Sequence, residues 1–292
     1  MTFQEIINKS KDLSIGELKL LIGDILKKVN YGSIFCKNQI FEGLYRARQH
    51  NEFYGNSNGY LFTNEKEYWN PHKKYIKELG RCNEVGQSLF YCSNNFETSI
   101  LEVRPEKDKF ITVARFIPIK IDNKLPSFRI KPNCIQHLNK IEGINSCFKN
   151  FDLLKREESF IEVDNLLDNL FTEVVNDNEK FKYKITNAIT QCMLTNIVNE
   201  NHDEFSMNGM IYPSIINNKK SVNILLKPIY AINYFRIEGL QTFKILDVTE
   251  DFVKIKLIRN GYTVGKKKHP SIQLNVKWLD PIDGEVYNIE RK

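Results

Sequence analysis

The sequence predicts an α+β fold, and three observations predict it. Apolar residues recur at helical spacing over 15–29, 157–176 and 181–198. Short runs rich in aromatic and β-branched residues, bounded by polar turns, fall between and after those helices. Residues 80–104, GRCNEVGQSLFYCSNNFETSILEVR, read as a turn, a short strand and a short helix that ends in a carboxylate.

Taken in order, Ser14 with Glu17 forms a capping box, and Leu18, Leu21, Ile22, Ile25 and Val29 make the apolar stripe of a helix that the Tyr31-Gly32 step ends. Residues 41–48, FEGLYRAR, suit a strand, on which Arg46 and Arg48 share one side because strand side chains alternate. From 51 to 79 the pattern dissolves: Tyr54, Tyr60, Phe62, Tyr68 and Trp69 follow no period, and the stretch reads equally as a lid or as a loop held down by burial of its rings. Residues 88–92 predict a buried strand, Asn94 with Glu97 a cap, and 96–103 a helix with Ile100 and Leu101 inward. Glu102 falls in the last turn, where the helix dipole disfavours an anion unless a cation compensates; Arg104 or a bound cation could do so.

Residues 109–119 predict a strand closed by Pro118, followed by helices over 135–150, 157–176 and 181–198, the last with Phe181 inward. Glu157 and Glu158 open the second of these as the dipole favours; a catalytic carboxylate pair is the weaker reading. Strands are expected at 210–212 and 222–226. Beyond Pro228, strands at 229–235, 243–248, 252–258 and 272–278 form a β-rich tail, either a small module or an extension of the main sheet. The chain thus divides into an N-terminal helical segment (1–40), a central domain (41–228) and the β-rich extension (229–292).

A chain of 292 residues, 41% hydrophobic and 27% charged, has room for one sizeable core with appendages. The net charge of +6 is a mild excess, and its one tight run, Lys266-Lys267-Lys268, reads as a solvated loop after Gly265. That disfavours a nucleic-acid partner. Six cysteines without a CxxC pair and five histidines never three or four residues apart argue against a zinc site or a disulfide framework. Reduced thiols and a cytoplasmic location follow as expectations. The run LKLLIGDIL is broken by Lys19 and Asp24, so it reads as neither signal peptide nor membrane span.

Five polar residues stand out against apolar surroundings: Arg46, Arg81, Tyr91, Glu102 and Ser214. Singly, each has an ordinary structural explanation. Together with their neighbours they form three ordered blocks: LYRAR at 44–48, the stretch 80–104, and NGMIYPS at 208–214 followed by Asn223. These blocks resemble the RES domain family, named for arginine, glutamate and serine. Tyr91 and Glu102 keep the family's spacing, whereas Cys82 replaces its usual aromatic and the segment between Arg46 and Arg81 is longer.

The resemblance implies a fold similar to ADP-ribosyltransferase toxins, with a split two-sheet core around a cleft and helices outside. It implies cleavage of the nicotinamide–ribose bond of NAD+, with water or phosphate as acceptor, by a toxin restrained by an antitoxin or other regulatory partner. The residue types suit that chemistry. Nicotinamide leaves as a neutral ring, so charge passes to the ribose, and a fixed carboxylate stabilises the oxocarbenium-like transition state. Glu102 is the candidate for that role. Arg46 is the candidate pyrophosphate clamp, assisted by Arg81, with Arg48 in reserve. Tyr91 would stack or hydrogen-bond beside the nicotinamide. Ser214 would place a hydroxyl near ribose or phosphate, and Asn83 and Tyr212 would line the NAD+ site. No metal and no cofactor beyond NAD+ as substrate is expected. Two alternatives stay open: transfer of ADP-ribose to a macromolecule, and a non-enzymatic nucleic-acid-binding module.

Overall fold

The computed structural model describes residues 2–29, 31, 34–36, 43–50, 64–120, 128–142, 144, 157–195, 197–198, 204–205, 207–216, 220–264, 274–279 and 284–291. The chain opens with α1 (Phe3–Lys9) and α2 (Ile15–Lys28), each started by a full capping box, Thr2 with Glu5 and Ser14 with Glu17. Strands β1 (Ile34–Cys36), β2 (Leu44–His50) and β3 (Phe90–Ser93) lead into α3 (Phe96–Glu102), then β4 (Phe110–Pro118) and β5 (Phe128–Pro132). Helices α4 (Ile135–Leu138), α5 (Glu158–Thr172) and α6 (Tyr183–Leu194) precede a small hairpin, β6 (Ile197–Val198) with β7 (Glu204–Phe205). Strands β8 (Gly209–Pro213) and β9 (Val222–Leu226), helix α7 (Pro228–Tyr234) and strands β10 (Phe235–Val248), β11 (Phe252–Val264), β12 (Asn275–Trp278) and β13 (Val286–Glu290) complete the α+β architecture.

Eleven strands join one sheet in the order β1-β5-β8-β9-β3-β2-β4-β10-β11-β12, with β13 also on β11. Only β5 and β8 run parallel among the described pairs. Strand alternation gives each face its own core. On β4, Ala114 and Phe116 face the larger core, where Leu18 and Ile22 of α2, Phe160 and Leu167 of α5 and Ile185 and Ile189 of α6 pack. Ile111 and Val113 point the other way, toward Ile100 and Leu101 of α3 and the curled β10–β11–β13 ribbon, with Phe243, Ile255 and Ile289.

The sheet has one thin point. Strands β2 and β3 share a single residue pair, Tyr45 with Ser93, whereas β2 pairs with β4 along its whole length and β3 pairs fully with β9. The split core therefore takes the form of one sheet with a seam, and the seam is where the site lies. At the other end, β10 pairs with β4 from Phe235 to Lys244, so the C-terminal strands extend the main sheet.

Several local expectations are corrected. Residues 229–235 form most of α7 instead of a strand: Pro228 occupies its first turn, where a fixed φ and a missing N–H suit a helix start. Tyr230 and Tyr234, four residues apart on the helix, stack with centroids 6.1 Å apart. The helix expected over 135–150 is four residues long, and 145–150 lie outside the described residues. Its first N–H groups are satisfied by buried Asp164, which accepts from Ile135 N at 2.7 Å and Gln136 N at 2.9 Å. The helix expected over 181–198 begins as a 3-10 turn, becomes α6 at Tyr183 and ends at Leu194, and Phe181 is exposed. The cap of α3 is Asn95, which accepts from Thr98 N at 2.8 Å. Asn94 instead pairs with β9, its Oδ1 accepting from Val222 N at 3.0 Å. Of the 51–79 stretch, 51–63 lie outside the described residues, and Tyr68 and Trp69 are buried, with Trp69 against Phe90 and Phe116.

Candidate active site

Glu102 ends α3, a short helix locked by its Asn95 cap and by burial of Ile100 and Leu101. This carries the carboxylate over the β8–β9 pair. Ser214 Oγ and Asn223 Nδ2 each donate to Glu102 Oε1 at 2.7 Å. Both donors are fixed: Tyr212 pairs with Asn223 across the strands, and Ser214 N donates to Ser221 O at 2.9 Å. Ser214 is fully buried, while Glu102 stays exposed to the cleft. Both bonds tether the same carboxylate oxygen, and Glu102 lines a small cavity.

Opposite stands Arg46, half-buried on β2. Where backbone pairing between β2 and β3 stops, its Nη1 donates to Tyr91 O at 2.7 Å. Its guanidinium lies 5.7 Å from the Phe90 ring centroid. Burial lowers its pKa to about 10, with Arg48 adding to the effect and Cys92 and Tyr91 opposing it. It remains a cation at neutral pH, and an anion brought against it would offset the cost of its burial.

Tyr91 is set by the loop before it. Its hydroxyl donates to Asn83 Oδ1 at 2.9 Å. Gly80 makes this possible, because a Cβ there would meet Asn83 Oδ1 at 2.3 Å. Burial raises the Tyr91 and Tyr212 hydroxyl pKa values well above the ordinary phenol value, with Cys82 adding to both, so both rings stay neutral. Burial likewise pushes the Cys82 thiol up to about 11, leaving it a packing residue.

A cavity of ≈ 200 Å³ opens between these groups, lined by Arg46, Tyr91, Ser93, Ser99, Glu102, Tyr212 and Asn223 among others. Arg46 also lines a second cavity of ≈ 520 Å³, together with Arg48, Glu67 and Trp69. A third, of ≈ 500 Å³, lies across α3 beside Phe96 and Phe243, and its charged residues Arg115 and Glu238 pair with each other. Among the described residues no group of three His, Cys, Asp or Glu side chains could hold a metal ion.

The structure thus brings Glu102, Ser214, Arg46, Tyr91 and Tyr212 to one place, with Asn83 behind Tyr91. Arg81 has another task. It donates to Phe171 O at 2.8 Å and Glu173 O at 2.9 Å, closing the C-terminus of α5, and does not line the cavity. These bonds hold its guanidinium against the end of α5. Arg48 donates to Glu67 O and pairs with its carboxylate at 3.7 Å, facing the second cavity. Asn223 had no assigned chemistry in the sequence reading. The signal was there: antiparallel pairing of 209–213 with 222–226 sets it beside Tyr212. Lys266, Lys267 and Lys268 lie outside the described residues.

A search of curated proteins finds no match. The RES domain family model matches residues 44–238, about two thirds of the chain, covering β2 through the start of β10 and therefore every group around the cavity. The chain belongs to the RES domain family.

Proposed function

We propose that this protein cleaves the nicotinamide–ribose bond of NAD+. The observation that carries the reading is the carboxylate of Glu102, held through one oxygen by Ser214 and Asn223 and lining the same small cavity as the half-buried Arg46. The RES domain family's association with NAD+-related toxin–antitoxin systems supports it.

As the C–N bond breaks, its electron pair leaves with nicotinamide, which becomes neutral, and positive charge develops on the ribose. The Glu102 carboxylate meets that charge from the cavity wall. Its orientation is set beforehand by two donors, so little reorganisation is needed as the cation forms. Water, or phosphate, then adds to the sugar carbon; with water the released proton passes to Glu102 or solvent, giving ADP-ribose. Arg46 holds the pyrophosphate, and the neutral rings of Tyr91 and Tyr212 flank the nicotinamide. A protein with this activity drains its cell of NAD+, so an inhibitory partner covering the cavity belongs to the proposal.

The test is purified protein with NAD+, with and without phosphate, and product identification by chromatography. Free ADP-ribose or its 1-phosphate is expected, and Glu102→Gln should lower nicotinamide release by about 10²–10³-fold, the cost of losing one preorganised electrostatic group. Label appearing on a macromolecule would show transfer instead. Unchanged turnover in Glu102→Gln would end the proposal.

A further inference from the structure

We infer that the cavity beyond Arg46 is the subsite for the adenosine half of a dinucleotide, an inference that rests on the reading above. The cavity at Glu102, ≈ 200 Å³, is smaller than the roughly 300–1,000 Å³ of pockets that enclose a drug-sized ligand. It has room for one end of the substrate. Arg46 is a wall of this cavity and also of the ≈ 520 Å³ cavity. A pyrophosphate lying on Arg46 therefore directs the ligand's second end into the larger space.

That space has the chemistry of a nucleotide site. Arg46, Arg48, Lys66 and Lys74 line it against Glu65 and Glu67, the latter paired with Arg48, so a cationic excess is left to meet an anionic ligand. Trp69 is buried against Phe90 and Phe116 and gives the wall a rigid apolar base. Tyr75 lines the cavity with 68% of its surface exposed, the Lys74 ammonium 4.8 Å from its ring centroid and the His72 ring edge-on at 6.3 Å. The 3-10 turn Lys73–Tyr75 presents it, and His72 fixes that turn by accepting from Lys74 N at 3.2 Å. An exposed aromatic beside a cation, one cavity away from a phosphate-directed arginine, is a platform for a purine.

ADP, which carries the adenosine half without the nicotinamide, probes the subsite directly by calorimetry. Tyr75→Ala should weaken ADP binding about tenfold, within the range for loss of one base–aromatic stack, and Tyr75→Phe should retain it. Because Tyr75 is exposed, neither substitution threatens the fold. In turnover, Tyr75→Ala should cut the preference for NAD+ over nicotinamide mononucleotide, measured as the ratio of kcat/KM values, by the same factor. ADP that fails to bind the wild-type protein, or binds Tyr75→Ala equally well, overturns the inference. So does an unchanged preference ratio in a protein that does release nicotinamide from NAD+. If no nicotinamide is released from either substrate, the cleavage reading fails and the ADP titration alone decides the subsite.

Discussion

A carboxylate that meets a short-lived cation is effective only if its orientation is fixed before the substrate arrives. Under the proposed cleavage that task would fall to Ser214 and Asn223, which both hydrogen-bond Glu102. Removing either donor should leave substrate binding largely intact and reduce the chemical step. Asn223→Ala is expected to lower kcat by about tenfold, with a smaller change in KM, because one charge-assisted hydrogen bond is lost. Steady-state kinetics on Asn223→Ala, Ser214→Ala and the double variant would measure this, with the two losses failing to add because both act on Oε1. Another residue reports on acid stability. His50 is buried, its Nε2 2.9 Å from Thr112 Oγ1, and burial, with Arg48 nearby, lowers its pKa from 6.5 to about 4. The folded state thus takes up this proton at lower pH than the unfolded chain does. Its stabilising contribution is whole above about pH 6.5, declines as pH falls toward 4 and is absent below, a loss on the order of 2–3 kcal/mol. Urea midpoints across that window should fall for the wild type and fall less for His50→Gln.

Among the elements, α3 matters most, because it carries Glu102 on only seven residues. Such a helix is marginal alone and depends on its ends and its buried side. Asn95→Ala should cost about 1 kcal/mol, read from urea denaturation. The other end holds a strained residue: Arg104, just past the helix, has φ 50° and donates its N–H to Leu101 O at 3.0 Å. Glycine adopts that conformation without a side-chain penalty, so Arg104→Gly should raise stability by about 0.5–1 kcal/mol. The same element shows what the sequence can and cannot reveal. The run from Phe96 to Glu102 and the inward Ile100 and Leu101 were legible because they follow helical period. The choice between adjacent asparagines as cap was not, since Asn94 is claimed by Val222, a residue more than a hundred positions away. The structural task of Arg81 was illegible for the same reason: nothing near it in sequence indicates that the carbonyls of Phe171 and Glu173 will arrive beside it. In α7, β-favouring side chains were overruled by Pro228, whose backbone preference decides how the segment begins. Local periodicity survives into the fold; partners supplied by distant chain do not announce themselves.

At the scale of the whole molecule, the N-terminal helices and the C-terminal strands are parts of the structure that carries the site. Leu18 and Ile22 of α2 are fully buried in the larger core, and Lys19 reaches the loop that holds Asn83, pairing with Glu84 at 2.5 Å. Deleting residues 1–28 would expose their apolar surface, at about 1.5–3 kcal/mol for each large side chain uncovered, against a typical total stability of about 5–15 kcal/mol. Gel filtration and circular dichroism of the truncated chain should report aggregation or loss of cooperative unfolding. The sparse β2–β3 pairing has a mechanical meaning as well. Along that line the two parts of the molecule are fastened chiefly by side chains: Arg46 from one bank grips the Tyr91 carbonyl on the other, and Glu102, packed through α3 onto β2, is tied to Ser214 and Asn223. The rivets of the molecule are thus the side chains to which the proposed chemistry is assigned. If a ligand drew Arg46 or Glu102 toward it, a joint would loosen, and Arg46→Ala should exchange its amide hydrogens faster than the wild type at Tyr45 and Ser93.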